Sequence, residues 1–229
     1  MRAEIDAIAF DIDGTLYSNW SFYRQLFPFL LGHTRFLSAF GEARRDIRIW
    51  QEAHPGAAHE DFFGWQAELA ARRLGADPGE TRARIDRLIY EGWKPLFARV
   101  KPYRHTAETF RRCRAAGLKI GILSDFLPEQ KGDIWGLADL SDVVVGSEET
   151  GALKPSPIPF RALAGKLGVD PERILYVGNS VRSDVEGARA VGMKTACIVH
   201  PVALLLGHKV PGADISFASY RKLTRIVLE

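Results

Sequence analysis

The run Ile8-Ala9-Phe10-Asp11-Ile12-Asp13-Gly14-Thr15-Leu16 constrains this chain more than any other stretch, because a hydrophobic segment breaks there on two carboxylates. Ile5 to Phe10 reads as a short buried strand that ends abruptly at Asp11. Gly14 supplies the backbone freedom of a sharp turn. Asp11 and Asp13 then stand at the carboxyl end of a strand, where open α/β sheets bind their ligands. Two residues apart in extended chain, their side chains point to one side and share one site. Carboxylates that close repel each other unless a cation or a shared proton intervenes. Taken alone, Asp13-Gly14 is equally compatible with an ordinary turn and Asp11 with a solvated strand end. What separates the two readings is whether partners for such a site follow downstream, in order.

Residues from about Ser18 to Val100 show no strand alternation and much helical periodicity, as in Phe62, Trp65 and Leu69 or Ile85, Leu88 and Ile89. Asp77-Pro78-Gly79-Glu80 is a capping box with proline at the first helical position. Gly32, Gly41, Pro55-Gly56 and Gly75 punctuate the region into about four helices. Trp50, Phe62, Phe63, Trp65, Trp93 and Phe97 read as bundle core rather than as ligand stackers. From Pro102 onward helix and strand alternate. Helix is predicted over 106–116, around 129–135, near 160–167, over 184–191 and near 220–228. Strands are predicted over 118–123, 143–145, 174–177 and 195–199, with an edge strand at 214–217. That alternation implies a parallel sheet with right-handed crossovers, interrupted after its first strand by an all-helical insertion.

The 229 residues suffice for one large domain, or a domain plus an insertion, with a sizeable core. With 46% hydrophobic and 26% charged residues the composition fits a soluble globular protein. No apolar run approaches the ~20 residues of a membrane span, and the start lacks a signal pattern. Cys113 and Cys197 read as packed thiols in a reducing compartment, so a cytoplasmic location is expected. A net charge of +3 invites a nucleic-acid reading, but the arginines, Arg44 and Arg48 among them, are interleaved with acids on helical patterns. No nucleic-acid motif accompanies them, and none is expected to bind. The six histidines have no ligand spacing between them and read as structural or exposed.

Each predicted strand end carries a different polar group. The first supplies Asp11 and Asp13, the second Ser124 and Asp125. The loop after the third supplies Lys154, and the fourth Asn179 and, five residues on, Asp184. Two carboxylates, a hydroxyl, an ammonium and further oxygen donors at one sheet edge suit a metal-assisted reaction on an anion. Oxygen ligands without His or Cys favour magnesium over zinc. A carboxylate attacking a phosphate meets like-charge repulsion, which a divalent ion and a lysine would offset.

The segments FDIDGTL, ILSD, LKP and VGNSVRSDVEGA, in that order, resemble the four-motif signature of the haloacid dehalogenase-like (HAD) hydrolase superfamily. The resemblance implies a Rossmann-like, three-layer α/β/α core over residues 1–17 and 101–229, with an α-helical cap domain inserted at 18–100. It implies that Asp11 is the nucleophile that becomes an aspartyl-phosphate and that Asp13 is the general acid and base. By the same resemblance Thr15 helps orient Asp13 and the turn. Ser124 and Lys154 serve catalysis and, with Thr15 and Asp125, phosphate binding. Asp11, the Asp13 main-chain carbonyl and the fourth-motif residues Asn179 and Asp184 would hold Mg²⁺. The family pattern has Gly-Asp-Ser where this chain has Gly178-Asn179-Ser180, and an amide oxygen ligates without charge.

Within that family Asp13 argues against a dehalogenase, whose chemistry has no leaving oxygen to protonate. A phosphonatase needs a Schiff-base lysine in the cap, where only Lys94 is present, near the far end. The expected activity is hydrolysis of a small phosphorylated metabolite by a monomer or homodimer. A sugar phosphomutase and a catalytically inactive binding module are the alternatives. Tyr17 and Asn19, together with cap residues near Phe22, Tyr23 and Arg24, are expected to face the site and tune specificity.

Overall fold

The computed structural model describes residues 4–229. Positions 1–3 of the expected core segment lie outside the described residues. Strand β1 (Ala7–Phe10) is hydrogen-bonded on both sides, to β2 (Lys119–Ser124) and to β4 (Ile174–Gly178). With β3 (Val143–Gly146), β5 (Lys194–Ile198) and β6 (Ile215–Phe217) these strands form one six-stranded parallel sheet in the order β3-β2-β1-β4-β5-β6. The register aligns Ile8 with Ile120 on one side and with Leu175 on the other. All six predicted strands are therefore present, with bounds shifted by a residue or two, and both β3 and β6 stand at edges of the sheet.

The alternation along β1 sorts the core into two layers. Ile8 and Phe10 face one side, with Phe110 of α5 (Thr106–Ala115) and with Tyr220 and Leu223 of α8 (Tyr220–Leu228). Phe10 stacks on Phe110 at 4.4 Å between ring centres. Ala7 and Ala9 face the other side, where Phe160, Leu163 and Leu167 of α6 (Pro157–Leu167) close the layer with Ala188 of the short α7 (Gly187–Arg189). Small residues on β1 let the bulky α6 side chains approach closely. The helix predicted over 184–191 begins earlier, as a π-helical stretch Val181–Glu186 that runs into α7. The predicted 129–135 helix is instead two 3₁₀ turns, Pro128–Lys131 and Ile134–Gly136.

Between β1 and α5 lie only helices: α1 (Asn19–Ala53), α2 (Phe62–Leu74), α3 (Pro78–Ile85), a π-helical stretch Asp86–Glu91, and α4 (Lys94–Phe97). The Asp77 side chain accepts from the Glu80 amide at 2.9 Å, as the capping box requires. Gly41 does not end a helix, since α1 runs 35 residues through Pro28 and Gly41 and leaves helical geometry only at His33. A glycine costs a helix about 1 kcal/mol. Burying Phe36, Ala39, Phe40, Ala43 and Ile47 along one face outweighs that. Trp50 and Trp65 are half-buried, not core, and meet edge to face at 5.0 Å. The insertion lies over the carboxyl edge of the sheet, where Trp93 and Phe40 pack on Phe126 just after β2. Ile47 and Phe62 close on Leu153 beyond β3.

Because Phe110 is fully buried against the ring of Phe10, replacing it with alanine is expected to lower unfolding free energy by about 3–5 kcal/mol. Urea denaturation checks this. A loss under about 1 kcal/mol would contradict the layer packing described.

Candidate active site

The carboxyl ends of β1, β2 and β4 and the loop after β3 converge on Asp11. Its side chain is almost completely buried, with one oxygen 2.6 Å from Lys154 Nζ and the other accepting from Thr15 Oγ1 at 2.7 Å. Lys154 Nζ also donates to Asp184 Oδ1 at 2.8 Å and lies 3.1 Å from the Tyr176 hydroxyl. One buried ammonium thus stands between two buried carboxylates that come from sequence positions 143 and 30 residues away. Burial pushes the Asp11 carboxyl up to about 7, with repulsion from Asp184 and Asp13 adding to it and Lys154 pulling against it. For Lys154, burial disfavours the charged form, but Asp11 and Asp184 outweigh it and hold the ammonium well above its ordinary value.

The second Asp184 oxygen accepts from the amides of Asn179 and Ser180, both at 3.0 Å. A side chain at Gly178 would collide with Asp184, so only glycine allows this carboxylate to fold back under the turn. Asp184, expected among the metal ligands, has both oxygens hydrogen-bonded within the protein, as Asp11 does. Asn179 reaches the β1 turn itself. Its Oδ1 lies 3.3 Å from Thr15 Oγ1, and its amide nitrogen occupies the space that a side chain at Gly14 would need. Gly14, at φ +84°, suits that close approach. Thr15, expected to orient Asp13, instead fixes Asp11, and the Tyr220 hydroxyl donates to the Thr15 carbonyl at 2.7 Å to hold the turn.

Asp13 is partly exposed and has partners of its own. Its Oδ1 accepts from Lys131 Nζ at 2.8 Å and from the Tyr17 hydroxyl. Ser124 is buried at the end of β2, with its Oγ accepting from the Phe126 amide at 3.2 Å. Asp125, expected to bind phosphate, does not present its carboxylate to an anion. One oxygen accepts from Arg48 Nη2 at 2.6 Å and the other from the Lys154 amide at 3.1 Å. Its pKa lies below the usual value: burial raises it, but Arg48 and Lys154 outweigh the burial. Arg48 Nε also donates to the Lys154 carbonyl at 2.9 Å, so α1 clamps the backbone that carries the lysine.

Lys131, Arg48 and Tyr176 were not among the expected site residues. Arg48, read from its pattern as a solvated helix arginine, is partly buried on Asp125, and Arg44 is buried against Glu148. Tyr17 contacts Asp13, as a specificity role allows, and Asn19 lines an open cleft with Gly14, Trp20, Asn179 and His200. Of the cap residues expected to tune specificity, Phe22 is buried and stacks on Phe97 at 4.5 Å, and Tyr23 is over half exposed. Cys113 and Cys197 are both buried. No helix among the described residues is long and apolar enough to cross a membrane.

A doubly wound parallel domain with a carboxylate–lysine pair at the carboxyl ends of its strands belongs to the α/β class that binds its ligands at this edge of the sheet. Residues 5–192 match the family described as haloacid dehalogenase-like hydrolase, and the chain belongs to that family. It is 30% identical over 207 residues to glyceraldehyde 3-phosphate phosphatase of Methanopyrus kandleri, covering 85% of this chain and 84% of the relative. It is 29% identical over 192 residues to phosphoglycolate phosphatase of Yersinia pseudotuberculosis, covering 82% and 78%. The crystal structure of L-2-haloacid dehalogenase from Xanthobacter autotrophicus superposes with a TM-score of 0.65 at 23% identity, covering 97% of this chain and 98% of that one. That last likeness is one of fold.

An Asp11 value near 7 in the folded chain, against 3.8 without the surroundings, means that the native state binds more protons than the unfolded state between those values. The Asp11 contribution to stability therefore falls as pH rises through that window. In metal-free buffer, the unfolding free energy of Asp11→Asn minus that of wild type is expected to grow from about pH 4 to about pH 7 and then level off. A difference independent of pH would contradict the buried, crowded setting of this carboxyl.

Proposed function

We propose that this protein is a magnesium-dependent phosphomonoester hydrolase acting on a small phosphorylated metabolite through an aspartyl-phosphate at Asp11. The observation that carries the reading is the geometry of two carboxylates two residues apart with different surroundings. Asp11 is buried and held by Lys154, whereas Asp13 is partly exposed, with one oxygen anchored.

In this reading an Asp11 oxygen attacks phosphorus and the bond to the leaving oxygen breaks, its electron pair going to that oxygen. Asp13 gives that oxygen a proton, so an alcohol leaves. Asp13 then takes a proton from water as the water oxygen attacks phosphorus, and the Asp11 carboxylate departs with inorganic phosphate as product. Lys154 offsets charge on Asp11 and on the transferring group, and Ser124 hydrogen-bonds a phosphoryl oxygen. Asp125 and Arg48 hold the Lys154 backbone in place. Asp184 keeps the Lys154 ammonium aimed at Asp11.

The donors near the turn fit magnesium. They are oxygens only, and no cluster of three His, Cys, Asp or Glu side chains stands among the described residues. Magnesium takes one or two carboxylates and keeps several waters, so so sparse a set is in keeping. Asp11, the Asp13 main-chain carbonyl and the fourth-motif residues Asn179 and Asp184 would hold it. Bound there, it would offset the repulsion between phosphate and Asp11.

The two relatives are named for phosphatase action on glyceraldehyde 3-phosphate and on phosphoglycolate, which supports hydrolysis of a small phosphate ester here. The dehalogenase shares the fold, but Asp13 has no task in carbon–halogen cleavage. The helices between β1 and α5 act as the cap, residues 18–100, over a core of 1–17 and 101–229. Substrate choice then lies with Asn19, Trp20 and their neighbours in the cleft beside the turn.

The expected outcome is magnesium-dependent hydrolysis of 4-nitrophenyl phosphate by the wild type, reduced about 10³-fold or more in Asp11→Asn. Turnover that survives Asp11→Asn would contradict the proposal, as would a folded wild type that hydrolyses no phosphate ester in a metabolite panel.

A further inference from the structure

Of the two buried lysines among the described residues, Lys154 serves Asp11 and the other, Lys131, serves Asp13. Lys131 ends the 3₁₀ turn Pro128–Lys131 beyond β2, and its side chain is 1% exposed. An ammonium removed from water is costly unless it is paired. Here its carboxylate partner is Asp13, and its remaining surroundings are aromatic. Nζ lies 4.0 Å from the ring centre of Phe97 and 5.3 Å from that of Phe126. Phe97 comes from the helical insertion and Phe126 from the sheet edge, so the lysine is walled in from both sides.

Tyr17 adds a second donor to the same atom. Its hydroxyl bonds Asp13 Oδ1, and its ring is locked edge-on against Phe97, Phe22 and Trp135. Asp13 Oδ1 is therefore loaded with two donors, and no donor among the described residues reaches Oδ2. A carboxyl anchored this way has one oxygen turned into the protein and the other facing out. A proton on Oδ1 would collide with the donors already there, so the transferable proton sits on Oδ2.

We infer that Lys131 and Tyr17 are positioning residues for proton transfer, fixing Oδ2 of Asp13 as the atom that hands its proton to the leaving oxygen. The inference rests on the reading of Asp13 as the general acid. The step is the one already balanced: phosphorus–oxygen cleavage leaves the electron pair on the leaving oxygen, which takes the Oδ2 proton as the alcohol forms. A merely structural lysine would affect all substrates alike. A lysine that aims the acid matters where the leaving group needs a proton and little where it does not.

The test compares kcat for phenyl phosphate, whose phenolate leaves poorly, with kcat for 4-nitrophenyl phosphate, whose phenolate leaves without help. Lys131→Met is expected to lose at least about tenfold more rate on phenyl than on 4-nitrophenyl phosphate, within the range of general-acid contributions. Tyr17→Phe is expected to show the same bias to a smaller degree, and it stands as the test should Lys131→Met fail to fold. Equal losses on both substrates, or none, would overturn the inference. Asp13→Asn run alongside separates the two levels. Bias in Asp13→Asn without bias in the Lys131 and Tyr17 variants removes only their role. No bias in Asp13→Asn removes the acid role and this inference with it.

Discussion

The contact on which the rest of the site depends is the buried ammonium of Lys154 between Asp11 and Asp184. Removing one partner from a buried ion cluster leaves a charge that water cannot reach, typically at a cost of about 3–5 kcal/mol. The three residues sit just past β1, on the loop after β3 and on the π-helical stretch after β4, so this one cluster ties together segments that follow three strands at their carboxyl ends. Net charge within the cluster is negative, with Asp11 and Asp184 facing a single cation. Burial raises Asp11 and the neighbouring carboxylates add to it, and a further cation at the turn would relieve that repulsion.

A second layer of contacts ties the helical insertion to this cluster. Arg48 of α1 holds both the Asp125 carboxylate and the Lys154 carbonyl. Arg44, one turn earlier, is buried on Glu148 beneath the ring of Phe126. Phe97 of α4 covers Lys131, and Lys131 holds Asp13. Each acid of the pair is thereby linked through a lysine to the insertion, Asp11 by way of Lys154 and Arg48, Asp13 by way of Lys131 and Phe97. Placement of the helices and alignment of the carboxylates are physically one problem.

The core was legible because its signals are local. Strand β1 announces itself by an apolar run that stops on acids, and Asp77 caps α3 from three residues away. The parallel sheet follows from alternation, and the gathering of Asp11, Lys154, Asn179 and Asp184 follows from each lying just past a strand or its loop. What escaped is what depends on tertiary approach. Arg48 and Arg44 have the spacing of a solvated helix face, and only the docking of α1 on residues 125–154 buries them. Lys131 follows a proline turn with no periodicity to read, and nothing local pairs it with a carboxylate 118 positions earlier. Thr15 was assigned to Asp13 when the fold of the turn carries it to Asp11. Asp125 reads from its motif as an anion-binding position, and only the docking of α1 brings Arg48 onto its carboxylate. In α1, Gly41 lost its meaning as punctuation because the buried face continues through it.

The central claim is that Asp11 forms a covalent bond to phosphorus. The most direct measurement is to quench the enzyme during turnover of an aryl phosphate with magnesium present, reduce any acyl phosphate with borohydride, and map the modified residue by peptide mass spectrometry. The account predicts conversion of Asp11 alone to homoserine, dependent on substrate. Turnover with Asp11 unmodified, or modification at Asp13 or Asp184 instead, would contradict it.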